Sequence, residues 1–216
     1  MKTIHKIFFS AIAASACSIA SASATLITAD TVLGFVDSGN SNCVGNAAPC
    51  GGTFPGGPFP VPVDATFAAD GMTNTFVSLP ADPNGNSSIT LGFSMGTIVD
   101  GDGADIFITE VAANGEGADV FVSSDGGMNF TFVSQILTIN DGITNSVFSL
   151  DLADISFLGE VNAIRIVGLD LGGASDGFDL ALVQGNTVVP VPAALPLFIS
   201  GLAAGYFGKR RRKKSA

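Results

Sequence analysis

The chain has no tryptophan, one tyrosine and one histidine, and the last two stand near its ends as Tyr206 and His5. With no histidine in the body, Ser-His-Asp and Cys-His catalysis and three-His zinc sites are excluded from it. Positive charge is almost as scarce. Of nine Lys and Arg, Lys2 and Lys6 open the chain and six occupy 209–214, which leaves Arg165 alone between them. All nineteen acids lie between Asp30 and Asp179, so residues 25–187 carry a net charge of −18. A surface that acidic repels phosphate backbones and excludes nucleic acid as a partner. The lack of Trp and Tyr also removes the usual stacking platforms for sugars. Seventeen phenylalanines and polar loops remain to do that work.

What is present at the N-terminus reads as an address. Lys2 and Lys6 form a positive n-region, IFFSAIAA (7–14) a short apolar core, and Ala22-Ser23-Ala24 offers small residues for cleavage before Thr25. Residues 1–24 are therefore expected to be a signal peptide, removed by signal peptidase between Ala24 and Thr25. Ser15-Ala16-Cys17 loosely matches a lipobox, with Ala14 where Leu is usual. On that alternative Cys17 is a lipid anchor; otherwise it leaves with the leader.

Residues 188–208 carry no charge and are followed at once by KRRRKK at 209–214. Such a run is long enough to cross roughly 30 Å of hydrocarbon, and the basic block would stay cytoplasmic. Pro190, Pro192 and Pro196 interrupt regular structure at its outer edge. The order Val189-Pro190-Val191-Pro192-Ala193, an apolar helix expected at 193–208 with Gly201 and Gly205, and a basic tail resembles a PEP-CTERM sorting signal. This chain has Val191 where the name-giving motif has Glu, and is closer to the Val-Pro-Leu-Pro-Ala variant. The resemblance spans 188–216. It implies an exported protein of a bacterium with an outer membrane, held in the inner membrane until an exosortase-like protease cuts at the proline motif, then moved to the cell surface or matrix. A single-pass anchor that is never cut is the plainer alternative.

Residues 25–187 lack a helical stripe and instead show short β-rich runs between Gly, Asn, Asp and Pro. Strands are predicted near 31–37, 65–69, 74–79, 88–94, 104–111, 118–124, 129–137, 146–151, 162–169 and 178–184. LADISFL (152–158) reads as a short helical turn. Ala118, Val120 and Val122 share one face of their strand, and Ile164 and Ile166 oppose Arg165. Ser124-Asp125-Gly126-Gly127 signals a hairpin, because Asp and Gly tolerate positive φ. The fold class is thus all-β: a single β-sandwich or jelly-roll ectodomain, followed by one C-terminal transmembrane helix. Residues 38–63 differ, with five prolines, little periodicity, and Cys43 and Cys50 placed to close a small disulfide loop. They are read as a stapled surface loop.

DGDGAD (100–105) is the densest acidic run. Asp100, Asp102 and Asp105, separated by glycine, suit calcium, which takes several oxygen ligands on a flexible loop. It is not an EF-hand, since Asp105 holds the sixth position where Gly belongs and Val111 the twelfth. Asp176 and Asp179 form a weaker second candidate. The bland reading makes all of these turn residues ahead of strands. Glu110, Glu116 and Glu160 are the only glutamates and stand in no motif for paired-carboxylate glycoside hydrolysis. No catalytic residue is therefore assigned, and calcium is the one cofactor considered.

The run DGMTNTFVSLP, SSITLGF, DGDGADIFITEV, ADVFVSSDGGMNFTFV, VNAIRIVGLDLGGASDGFDLALV (within 70–184) is similar to discoidin-type or carbohydrate-binding-module sandwiches that accompany PEP-CTERM tags. The resemblance implies sugar-associated binding and names no ligand. The expectation is a non-catalytic structural or interaction protein linked to exopolysaccharide or biofilm, with surface polysaccharide as its partner. A true carbohydrate-binding module with structural calcium is the second reading, and a secreted hydrolase the third.

Overall fold

Alternating apolar residues on short strands require two sheets that close over one another, since each strand has a single apolar face to bury. The structure, a computed structural model, describes residues 23–38, 49–81, 86–111, 115–137, 145–157, 159–169 and 177–189. Residues 1–22, residues 39–48 with Cys43, Asp170 to Asp176, and everything from Pro190 onward lie outside them. Among the described residues no helix is long and apolar enough to cross a membrane.

Twelve strands are described: β1 (Ser23–Thr28), β2 (Thr31–Val36), β3 (Cys50–Thr53), β4 (Val61–Pro62), β5 (Thr75–Leu79), β6 (Ser88–Gly92), β7 (Ile106–Val111), β8 (Gly117–Ser123), β9 (Thr131–Leu137), β10 (Asn145–Leu150), β11 (Ala163–Leu169) and β12 (Phe178–Val189). A seven-stranded sheet runs β10-β7-β12-β5-β3-β4, with β1 also paired to β12. A five-stranded sheet runs β2-β6-β11-β8-β9. The core is made by both inner faces: Val77, Leu79, Ile106, Ile108, Leu180 and Val183 from the first, Ile89, Leu91, Ala118, Val120, Val122, Ile164 and Ile166 from the second. The predicted alternation on β8 and β11 is observed, with Arg165 turned to the outside. The sheets come into close contact where β11 meets β5. A Cβ on Gly168 would lie 1.7 Å from the carbonyl oxygen of Leu79, so only glycine fits there.

Two expectations are corrected. Residues 65–69 form a 3-10 turn, not a strand, because the Asp64 side chain accepts from the Thr66 N–H at 2.9 Å and caps it. Part of the presumed surface loop at 38–63 belongs to the sheet. Cys50–Thr53 and Val61–Pro62 pair as a hairpin, and β3 also pairs with β5. Gly51 allows this, since a Cβ there would meet the Phe76 carbonyl oxygen at 2.0 Å. Cys50 is buried and disulfide-bonded. β1 was not anticipated, and it begins at Ser23, ahead of the expected cleavage after Ala24.

The β8–β9 hairpin forms at the predicted Asp125, with Gly126 and Gly127 at φ 76 and 88. Asp125 Oδ1 accepts from the N–H groups of Asn129 (2.9 Å) and Met128 (3.0 Å) and from Ser123 Oγ (2.7 Å), while Oδ2 accepts from Asn129 Nδ2 (2.6 Å). The bonds from Asn129 above all hold its carboxyl down to about 2, from 3.8. A depressed carboxyl stabilises the fold fully above its ordinary value, and that contribution fades as pH falls through about 2. A carboxyl NMR titration should place Asp125 among the last acids to protonate. A midpoint near 4 would mean that the turn does not hold the carboxylate.

Candidate functional site

A groove of about 620 Å³ lies on the outer face of the seven-stranded sheet. The rest of that face is covered where Phe59 packs on Phe76, ring centroids 4.9 Å apart, beside the buried Val111, Ala181 and Leu182. A register shift between Leu180 and Leu182 on β12 turns Leu182 outward into the groove while Val183 returns to the core. Leu26, Phe107, Val147 and Leu182 supply its apolar surface, and Thr73, Thr109, Asn145, Gln184 and Asn186 its polar groups. None of its lining side chains is ionisable, in a body with nineteen acids.

The amides in the groove are braced. Asn145 Nδ2 donates to the Thr73 carbonyl (3.0 Å), Gln184 Nε2 to Thr28 Oγ1 (3.2 Å) and Asn186 Nδ2 to the Ala104 carbonyl (2.8 Å). Asn145 Oδ1 is buried and has no donor among the described residues. Such an arrangement offers a neutral ligand apolar contact, fixed amide and hydroxyl groups, and one acceptor waiting for a hydroxyl.

A second cavity of about 300 Å³ lies on the outer face of the five-stranded sheet, beside Ser88, Thr90 and Arg165. Arg165 stacks over Phe130 at 3.7 Å and donates from Nε to Thr90 Oγ1 at 3.3 Å.

The acidic loop assembles differently from its sequence. Carboxylate oxygens of Asp100, Asp105 and Asp151 come within 4.8 Å of one another, and Asp102 is not of that group. Asp151 was missed, being remote in sequence, and its only local signal is its place before LADI, the 3-10 turn at Leu152–Ile155 that it caps through the Ala153 N–H at 2.8 Å. Asp105 is fully buried. Its Oδ1 accepts from the Gly101 N–H (2.9 Å) and its Oδ2 from the Leu152 N–H (3.0 Å). Burial pushes its carboxyl up, against those two bonds, and the charges of Asp100 and Asp151 add to the rise. The trio offers hard oxygen ligands to a cation, and Asp105 staples the loop to the turn with or without one.

The other predicted acids are dispersed. Asp179 lies buried on β12 and accepts from Ser78 Oγ at 2.5 Å, while Asp176 is outside the described residues. Of the glutamates, Glu160 is exposed and accepts from Thr97 Oγ1 at 2.9 Å. Glu110 and Glu116 are fully buried. Burial first, then the charge of Glu116, raises Glu110 to about 10. Of the sorting motif, Val189 ends β12, and Pro190 to Ala193 lie outside the described residues.

No protein-family model matches the chain, and no curated protein sequence matches it. Among solved structures it is similar to a family 29 carbohydrate-binding module, at TM-score 0.41 and 15% identity over 77% of this chain and 90% of that one. A mutant of such a module scores 0.41 at 15% identity, over 78% and 87%. A truncated protein with family 32 carbohydrate-binding-module and alginate lyase domains scores 0.42 at 13%, over 78% of this chain and 35% of that chain. Likeness at this level assigns neither ligand nor activity.

Removing the Asp105 staple isolates its worth. Asp105→Ala leaves two N–H groups without their charged acceptor and should cost about 3 kcal/mol. Urea unfolding with an unchanged slope would report this as lost stability. A loss under about 0.5 kcal/mol would show the staple to be dispensable.

Proposed function

We propose that the chain is an exported, non-catalytic β-sandwich that binds a neutral glycan in the groove on its seven-stranded sheet. The observation that carries this reading is the groove's freedom from ionisable groups in so acidic a body, together with the donorless Asn145 Oδ1. Sugars present hydroxyls on apolar rings, and the lining of Phe107, Leu182, Thr109, Asn145 and Gln184 complements both. A signal peptide ending at Ala24, exosortase-type release near Pro192, and a surface or matrix role linked to exopolysaccharide belong to the same reading. So does calcium at Asp100, Asp105 and Asp151. Glu110 and Glu116, enclosed in the sandwich, are poorly placed to reach a sugar, which favours binding over hydrolysis.

A glycan array followed by calorimetry with neutral oligosaccharides such as cellohexaose and mannohexaose tests the binding. Asn145→Ala should weaken the complex about tenfold, the worth of one lost hydrogen bond. Val147→Asp, at a position 61% exposed, should abolish it while leaving the fold intact. Unaltered affinity in both variants, or no neutral glycan bound at all, sinks the proposal. Intact-mass measurement tests the processing: surface protein should start at Thr25 and end near Pro192. A surface form still ending in Ala216 would leave the C-terminal segment an anchor only.

A further inference from the structure

Arg165 is the one base in a body of nineteen acids, yet among the described residues no carboxylate pairs with it. Its guanidinium has one hydrogen bond there, from Nε to Thr90 Oγ1 at 3.3 Å, and lies 3.7 Å from the centre of the Phe130 ring. A guanidinium carries five N–H donors, so most of the fork is left without a partner. The side chain borders the cavity of about 300 Å³ on the outer face of the five-stranded sheet, and it is the one ionisable residue in that lining.

Strand register assembles the pocket. Gly34 of β2 faces Thr90 of β6, and Thr90 faces Arg165 of β11. Ser88 and Thr90 supply hydroxyls, while the exposed Leu33 and Val36 supply apolar surface. The β8–β9 hairpin forms one wall, where a Cβ on Gly127 would lie 3.4 Å from the Phe130 ring and 3.5 Å from Thr90 Cγ2. The bonds that Asp125 accepts from Met128 and Asn129 fix that wall in advance. Gly34 gives a second, independent indication. A glycine inside a strand sacrifices packing, and such a residue often marks a place where another molecule or backbone approaches closely. No part of the described chain does so here: a Cβ on Gly34 would meet no heavy atom within 4 Å. Crowding therefore does not explain this glycine, and the space it leaves adjoins Arg165.

We propose that this pocket is a second binding site, for a ligand that carries one carboxylate on a hydroxylated ring, a uronic acid. The planar fork of arginine matches a carboxylate with two parallel hydrogen bonds. Ring hydroxyls find Ser88 and Thr90, and the ring's apolar edge finds Leu33 and Val36. The acidic body sets the rest of the preference. At −18, residues 25–187 repel a phosphate dianion more strongly than a carboxylate monoanion, and a polymer of anions more strongly still. A cavity of this size also suits one sugar unit, not a long chain. The pocket lies on the other sheet from the neutral groove and does not depend on that groove's function.

The test titrates methyl glucuronide into the full-length chain in an uncharged detergent and follows backbone amide and arginine Nε–H signals by NMR. Shifts are expected at Arg165, Gly34 and Gly127, with a dissociation constant on the order of 1 mM. Three probes should bind at least tenfold more weakly: methyl glucoside, with a hydroxymethyl group in place of the carboxylate, acetate, with no ring, and a glucose phosphate ester. Arg165→Lys keeps the charge, loses the fork, and should weaken binding at least tenfold. Gly34→Val fills the open space with a residue that strands favour, and should abolish binding while Arg165 stays in place and the melting temperature does not fall. Undiminished affinity in Gly34→Val, or equal binding of the glucoside, acetate or phosphate ester, overturns the proposal. So does the absence of any shift at Arg165. Shifts confined to Asn145 and Gln184 would put the ligand in the groove on the other sheet, which defeats this site and leaves the reading of that groove standing.

Discussion

One shortage governs this molecule: Arg165 is the single base in the stretch of chain that holds all nineteen acids. A domain with one base among nineteen carboxylates cannot use ion pairs, so its acids turn to neutral donors. Asp30 takes the N–H and hydroxyl of Ser94, Asp70 the Met72 N–H and Thr75 hydroxyl, Asp119 the Gln135 amide, and Asp179 the Ser78 hydroxyl. Asp64, Asp105, Asp125 and Asp151 bind backbone N–H groups at turns. Each such bond satisfies a donor that a turn would otherwise expose, so the acids become the fastenings of the connections between strands. The abundance of Asp, Ser, Thr, Asn and Gly follows from that arrangement. Glu110 departs from it, being fully buried with no donor to its carboxyl oxygens among the described residues.

The core obeys a separate constraint of shape. With no Trp and small or β-branched residues on the inner faces, the sheets approach until backbone meets backbone. Gly168 faces the Leu79 carbonyl with no room for a methyl group. A polar group buried in such a core is costly unless it is paired or neutral, and Glu110, fully buried, has its carboxyl pushed up by that burial.

The parts of this architecture that repeat every two residues were legible in the sequence. Ala118, Val120 and Val122 face inward, Arg165 outward, and the Asp125 hairpin closes as its turn residues dictate. Glu110 and Glu116 were read only as acids outside any catalytic motif, and their full burial was not anticipated. Less legible was whatever depends on distant chain segments meeting. Asp151 joins Asp100 and Asp105 only because β10 delivers it beside the start of β7, and the groove is assembled from β1, β7, β10 and β12. Residues 65–69 misled because a short apolar run suits either state, and a single cap at Asp64 decided it. The register shift that turns Leu182 to the outer face is likewise set by pairing, not by pattern.

The charge distribution also bears on what a groove here can hold. Polyanions are repelled at long range by the acidic body, and cations are drawn to the whole surface without selection. A neutral ligand feels neither field. Its affinity must come from apolar contact and from hydrogen bonds whose geometry is already fixed, and Asn145, Gln184 and Asn186 are braced in that way. Bracing lowers the entropy lost on binding, which matters most where no charge assists. The acidic coat and the uncharged groove thus have complementary consequences: one keeps anionic polymers away from the surface, and the other leaves a patch where shape and hydroxyl contacts decide.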